Sequence, residues 1–162
     1  MHKTYIETIS LIERLHRLAL EVVKAELERS GVRDLNNVQA LILFNLGDAE
    51  LSVGELMQRG YYQGSNVSYN VRKLVENGYL AQRRCPHDRR SIFVRATEKG
   101  LEVSGRLSAL FEQQAELLGR DSRAVDALEN AKDGLFRLQR FWASDGTQGL
   151  MAVPKQQVFT AA

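Results

Sequence analysis

Asn66-Val67-Ser68-Tyr69-Asn70-Val71-Arg72-Lys73-Leu74, followed by Arg83-Arg84-Cys85-Pro86-His87-Asp88-Arg89-Arg90-Ser91, is the stretch that decides the fold. In its first segment Val67, Val71 and Leu74 recur at i, i+4 and i+7, which predicts a helix with one buried stripe. Gly64 or Ser65 starts that helix and Gly78 stops it. Tyr79-Leu80 and Ile92-Phe93-Val94 read as two short strands. The polar link Cys85 to Ser91 is too long for a tight two-residue turn, so it predicts a projecting loop, a wing.

Upstream, Ser52 caps a short helix holding Val53, Leu56 and Met57, with Glu55 completing a capping box and Gly60 ending it. Before it, Val38, Leu41, Ile42 and Phe44 predict a helix over about 37–46, closed by Gly47. Residues 5–28 place Tyr5, Ile9, Ile12, Leu15, Ala19, Val22 and Leu27 largely at three- and four-residue spacings, a long amphipathic helix. Leu11, Leu18, Leu20 and Val23 widen its stripe beyond what one small core requires, which predicts a second surface to cover, that of a partner subunit. Downstream, Thr97 caps a helix running through Leu101, Leu107, Leu110 and Phe111 to Gly119. A last helix carries Val125, Leu128, Leu135, Leu138, Phe141 and Trp142.

The expected architecture is mainly α with a small β-hairpin wing. It divides into an N-terminal dimerisation helix over 1–34, a winged helix-turn-helix over 35–100, C-terminal dimerisation helices over 101–144, and an extended tail over 145–162. A centre of that size is small for a self-sufficient core, and interlocked helices from two subunits supply the missing burial.

Charge concentrates in the centre. Residues 52–95 hold eight Arg or Lys against three Asp or Glu, a formal +5, whereas the whole chain is +2. A basic centre in a nearly neutral chain points to a polyanionic partner, double-stranded DNA. No stretch approaches the ~20 apolar residues that span a bilayer, and the N-terminus does not read as a signal peptide. Cys85 is the one cysteine, so no intrachain disulfide forms, and a reducing cytoplasm is the expected compartment. CxxC, HExxH, GxGxxG, P-loop and GxSxG motifs are missing, so the expectation is a protein that is not an enzyme and needs no cofactor or metal.

On the face opposite the Val67 stripe lie Asn66, Tyr69, Asn70 and Lys73, with Ser65, Ser68 and Arg72 to the sides. Short two-way hydrogen-bonding groups at a helix start can approach base edges in a major groove. Arg72, Lys73, Arg83 and Arg84 suit phosphates, and Arg89 is the expected wing tip, aimed at a minor groove. Asp88 is repelled by DNA and instead shapes the loop, pairing with Arg90. The alternative for all of these is a solvated surface. Cys85, beside Arg84 and near His87, is a candidate redox thiol against the simpler reading of a strand-end cysteine. His16 is a candidate for lining a ligand cleft between dimer helices, against that of a satisfied interface histidine.

Together, Leu51-Ser52-Val53-Gly54-Glu55-Leu56, Val67 to Leu80 with its Leu-x-x-x-Gly-Tyr-Leu end, and Asp88-Arg89-Arg90-Ser91 followed by Thr97-Glu98-Lys99-Gly100 resemble the MarR family of winged-helix transcription regulators. The resemblance spans about residues 5–142. It implies a homodimer on a palindromic operator, with helix 65–77 in the major groove and the wing at the minor groove. It further implies release by a small aromatic or lipophilic effector, or in some members by cysteine oxidation. Asp88 and Arg90 match the family's internal wing pair and Arg89 its DNA-facing tip. Two departures stand out: Tyr61-Tyr62-Gln63-Gly64 in place of the usual Gly-hydrophobic-Ser turn, and the added tail from 145. The rival readings are a winged-helix dimer with no ligand response and a protein-interaction module that retains the fold.

Overall fold

The computed structural model describes residues 1–60, 64–84 and 92–144. In chain order these form α1 (His2–Arg29), α2 (Asn37–Leu46), β1 (Glu50–Ser52), α3 (Val53–Gly60), α4 (Gly64–Glu76), β2 (Leu80–Arg84), β3 (Ile92–Ala96), α5 (Glu98–Gly119) and α6 (Ser122–Ser144). Two compact units divide the chain, Met1–Phe111 and the residues from Glu112 onward.

Local chemistry accounts for the element ends. Asn36 Oδ1 accepts the Gln39 N–H at 2.8 Å while the Asn36 N–H donates to Gln39 Oε1 at 3.1 Å, a reciprocal cap that starts α2. The expected box at α3 is present: Glu55 Oε2 accepts the Ser52 N–H at 2.8 Å, and the Glu55 N–H donates to Ser52 Oγ at 3.2 Å. At the end of α4 the Tyr79 N–H reaches the Leu74 carbonyl at 2.8 Å and the Gly78 N–H the Val75 carbonyl at 3.0 Å. Gly78 sits at φ +75°, the left-handed position such an ending needs. The Gly-Tyr-Leu signature is therefore a helix stop that throws Tyr79 back into the core.

The sheet is wider than a hairpin. Glu50–Ser52 adds an antiparallel third strand, giving the order β1-β3-β2, with Leu51 opposite Val94 and Gln82 opposite the same residue from the other side. A three-residue strand leaves almost no periodicity, and Ser52 reads first as a helix cap, so the sequence signal for β1 is masked by that of α3. β2 also runs on through Gln82, Arg83 and Arg84, polar residues that an edge strand tolerates.

The core of the first unit lies where α2, α3, α4, α5 and one sheet face meet. Ile42, Leu43, Leu46, Leu56, Val67, Leu74, Tyr79, Leu80, Val94 and Leu107 are all buried there. Phe44 and Phe111 seal one side edge to face, their centroids 5.1 Å apart. From α1 only Val23, Glu26 and Leu27 are buried, all in its last two turns, whereas Tyr5, Ile6, Leu11, Leu15 and Leu18 are exposed. Within the second unit Leu117, Leu118, Val125, Leu128, Leu135, Phe136, Phe141 and Trp142 are exposed.

Candidate nucleic-acid interface

α4 rests on the core through the stripe read from the sequence: Val67, Val71 and Leu74 are at most 4% exposed. Its other side presents Asn66, Ser68, Tyr69 and Arg72 to solvent. Ser65 belongs to the first turn of this helix. The backbone thus brings together four of the polar residues expected to face DNA.

Asn70 departs from the expectation. It is 8% exposed, and its Nδ2 donates to the Asn66 carbonyl at 2.8 Å. Position 70 stands three residues after Val67 and next to Val71, on the buried side of the helix. A polar group there must find a partner inside, and the carbonyl one turn back is the nearest acceptor. Asn70 is thereby removed from the base-reading set.

The cations of this region are not equivalent. Lys73 Nζ lies 2.7 Å from Glu76 Oε2, and Arg72 Nε 3.8 Å from Glu76 Oε1, with the Arg72 guanidinium 5.7 Å from the Tyr69 ring centroid. The hydrogen bond from Lys73 holds the Glu76 carboxyl below its usual range, and Glu76 in turn raises the Lys73 ammonium. Such exposed pairs are weak enough to open for a phosphate.

Arg83 is placed differently. Its Nε and Nη2 donate to the two Glu50 oxygens at 2.7 and 2.8 Å, and its guanidinium lies 4.7 Å from the Phe93 ring centroid. Arg83, Phe93 and Glu50 share one sheet face by register, opposite the face that carries Leu51, Leu80 and Val94 into the core. That bidentate pair draws the Glu50 carboxyl down in pKa. It braces the sheet, and a phosphate contact by Arg83 has to open this exposed pair just as one by Lys73 has to open its own. Arg84 alternates to the other face, the one toward α4, and is exposed.

Between α3, α4 and that sheet face lies an open recess of about 600 Å³, lined by Val53, Met57, Ser68, Val71, Arg72 and Gln82 among others. Nothing in the sequence patterning pointed to it, because its walls come from five separate elements. His16 lies exposed on α1. Cys85, Asp88, Arg89 and Arg90 lie outside the described residues. Among the described residues no cluster of His, Cys, Asp or Glu is arranged to hold a metal ion, and no helix is long and apolar enough to cross a membrane.

Two helices separated by three residues, the second with a polar outer face, followed by an antiparallel hairpin that pairs with the short strand preceding them, define a winged-helix DNA-binding protein. Residues 35–100 match the winged helix DNA-binding domain family. The chain is 35% identical over 147 residues to the exopolysaccharide II synthesis transcriptional activator ExpG of Rhizobium meliloti, covering 91% of this chain and 76% of that one. The fold is similar to Streptococcus pneumoniae FabT in complex with DNA, with a TM-score of 0.72 and 14% identity over 84% of this chain and 97% of that one. It is also similar to a mutant of MarR from E. coli complexed with operator DNA, with a TM-score of 0.65 and 18% identity over 83% and 97% of the two chains. The chain belongs to the MarR family of winged helix-turn-helix transcription regulators. It is a DNA-binding transcriptional regulator, a non-enzymatic role.

Proposed function

We propose that the protein binds a palindromic operator as a homodimer, with α4 as the recognition helix in the major groove and the wing at the minor groove. The observation that carries this reading is the exposed row Asn66, Ser68, Tyr69 and Arg72 on a helix whose other side is core. In this reading Ser65, Asn66, Ser68 and Tyr69 meet base edges, Arg72, Lys73 and Arg84 neutralise phosphates, and Arg89 is the wing's contact, with Asp88 and Arg90 shaping its loop. Dimerisation is supported by the apolar residues left exposed on α1, among them Leu11, Leu15 and Leu18 at i, i+4 and i+7, and on α6, where Leu128, Leu135 and Trp142 repeat at seven-residue spacing. Two recognition helices then enter successive major grooves about 34 Å apart.

Effector control fits the same face. An aromatic or lipophilic acid bound in the recess beside Ser68 and Arg72 occupies space that DNA needs and presents its carboxylate to a phosphate-binding cation. A second reading, implied by the family resemblance, puts such a ligand between the dimer helices with His16 as a candidate lining residue, and oxidation of Cys85 is the alternative trigger. The direction of control that the relative's role supports is activation.

The test is selection of duplexes from a random pool by the full-length protein, followed by affinity measurements on the selected duplex over a range of salt. The expected product is an inverted repeat whose affinity falls steeply with salt. Ser68→Ala weakens and relaxes selection at one base pair per half-site, by ~1–3 kcal/mol. A non-repeating product, or Ser68→Ala with unaltered preference, contradicts the reading.

A further inference from the structure

The end of α4 is gripped from two directions by side chains that no part of the DNA face uses. Asn77, the first residue beyond the helix, donates from Nδ2 to the Asp34 carbonyl at 2.9 Å. The Tyr79 hydroxyl donates to Asp34 Oδ1 at 2.6 Å. Lys99 Nζ donates to Asp34 Oδ2 and to the Asn77 carbonyl, each at 3.0 Å, and lies 3.9 Å from the Tyr79 ring centroid. Thr97 adds its hydroxyl to the Gly78 carbonyl at 2.7 Å and its N–H to the Tyr79 carbonyl at 3.0 Å. Asp34 belongs to the link between α1 and α2, whereas Thr97 and Lys99 open α5. Tyr79 is 2% exposed, so the group of donors around Asp34 includes a hydroxyl anchored in the core.

We propose that Asp34, Tyr79 and Lys99 are positioning residues for sequence-specific DNA binding: they form the joint through which α1 and α5 set the angle of the recognition helix. This rests on reading α4 as that helix. An ion pair about half exposed adds little stability, so a purely stabilising role is a poor account of six converging hydrogen bonds. Orientation is a better one. A 13-residue helix is roughly 20 Å long, so a tilt of about 5° at its end moves the far end by roughly 1.7 Å. Base-edge hydrogen bonds do not survive such a displacement, whereas long Lys and Arg side chains still reach a phosphate. Loosening the joint therefore costs selectivity while sparing charge-driven affinity. The same joint gives any movement of the α1–α2 link or of the start of α5 a direct mechanical route to the DNA face.

The experiment compares Asp34→Ala and Tyr79→Phe with the wild-type protein on a 30-base-pair duplex selected by the wild type and on a scrambled duplex of the same composition. Both are titrated in several salt concentrations by fluorescence anisotropy, with far-UV circular dichroism at the assay temperature. The phenylalanine variant keeps the buried ring and removes only the hydroxyl, so it serves if Asp34→Ala folds poorly. The expected result is at least about a fivefold loss on the selected duplex, the lower end of ordinary coupling between sites. Affinity for the scrambled duplex and the salt slope stay as in the wild type, because no phosphate contact has been removed. An equal loss on both duplexes, or no loss on the selected one, in the folded variants overturns the proposal. Ser68→Ala, measured alongside, separates the two ideas. If it leaves affinity for the selected duplex untouched, the reading of α4 has failed; if it weakens that affinity while Tyr79→Phe does not, only the joint has.

Discussion

At position 100 the lack of a side chain lets α5 pack directly against the end of α4. A Cβ built on Gly100 runs into the Tyr79 carbonyl oxygen and meets Leu43 Cδ2 at 3.3 Å. That carbonyl already accepts the Thr97 N–H, so it has little freedom to retreat. The Thr-x-x-Gly signature is thus a packing requirement where α5 passes the end of the recognition helix. Gly100→Ala is expected to lower stability by about 1–3 kcal/mol, the range for overpacking a dense site, read as a drop in the urea midpoint. Asn70 supplies the contrasting case of a residue expected at the DNA whose side chain is buried and spent on the Asn66 carbonyl. Asn70→Ala leaves the selected DNA sequence unchanged, because its amide faces inward. Asn70→Asp destabilises by about 1–3 kcal/mol, since it sets a carboxylate against the Asn66 carbonyl in a buried place. Repeating the selection with the first variant and unfolding the second in urea checks both.

Among the elements, the joint of α4 with the α1–α2 link and α5 carries a pH signature. The hydrogen bond from Tyr79, and then Lys99, hold the Asp34 carboxyl below the usual carboxylate range, and Asp34 raises the Lys99 ammonium. A depressed carboxylate contributes stability that is present above its unfolded pKa and is lost as pH falls through the folded one. A raised ammonium contributes stability that is present below its unfolded pKa and is lost as pH rises through the folded one. The stability difference between wild type and Asp34→Asn is therefore expected to be constant from about pH 5 to about pH 9. It shrinks on further acidification, as the protonated aspartate comes to behave like the amide. Urea unfolding of both proteins across that range gives the answer, and a difference that varies around neutrality contradicts the assignment. The joint is a fixed mount at physiological pH.

For the whole molecule, the decisive quantity is the apolar surface that neither unit covers by itself. Leu15 is 52% exposed and Leu18 55% on α1, and Leu128 is 52% exposed on α6. Under the proposed homodimer these residues are the ones a second copy covers. Leu15→Glu combined with Leu18→Glu is expected to yield a monomer in sedimentation velocity and to weaken binding to the selected duplex at least about a hundredfold, since one half-site forfeits the linkage to the second. Its circular dichroism should stay close to the wild type's, because the first unit's core takes only Val23 and Leu27 from the apolar residues of α1. A variant that still sediments as a dimer places the interface elsewhere.

Periodicity and end chemistry determined most of what was legible in the chain. Val67, Val71 and Leu74 set the buried face of α4, Ser52 with Glu55 set the start of α3, and Gly47 and Gly78 set helix ends, because each is a local rule that acts within about one turn. The cationic excess over residues 52–95 marked the partner for the same reason: charge is additive and needs no fold to be counted. Tertiary structure alone decided which of the polar residues are available. Asn70 turns inward because of its angle to the core, and Arg83 is held by Glu50 across β3 through strand pairing between distant segments. Asp34, Tyr79 and Lys99 likewise meet only after α1, α4 and α5 have converged on one core. Residues far apart in sequence carry no local pattern for such contacts, so chain closure and packing had to bring them together before their chemistry could be read.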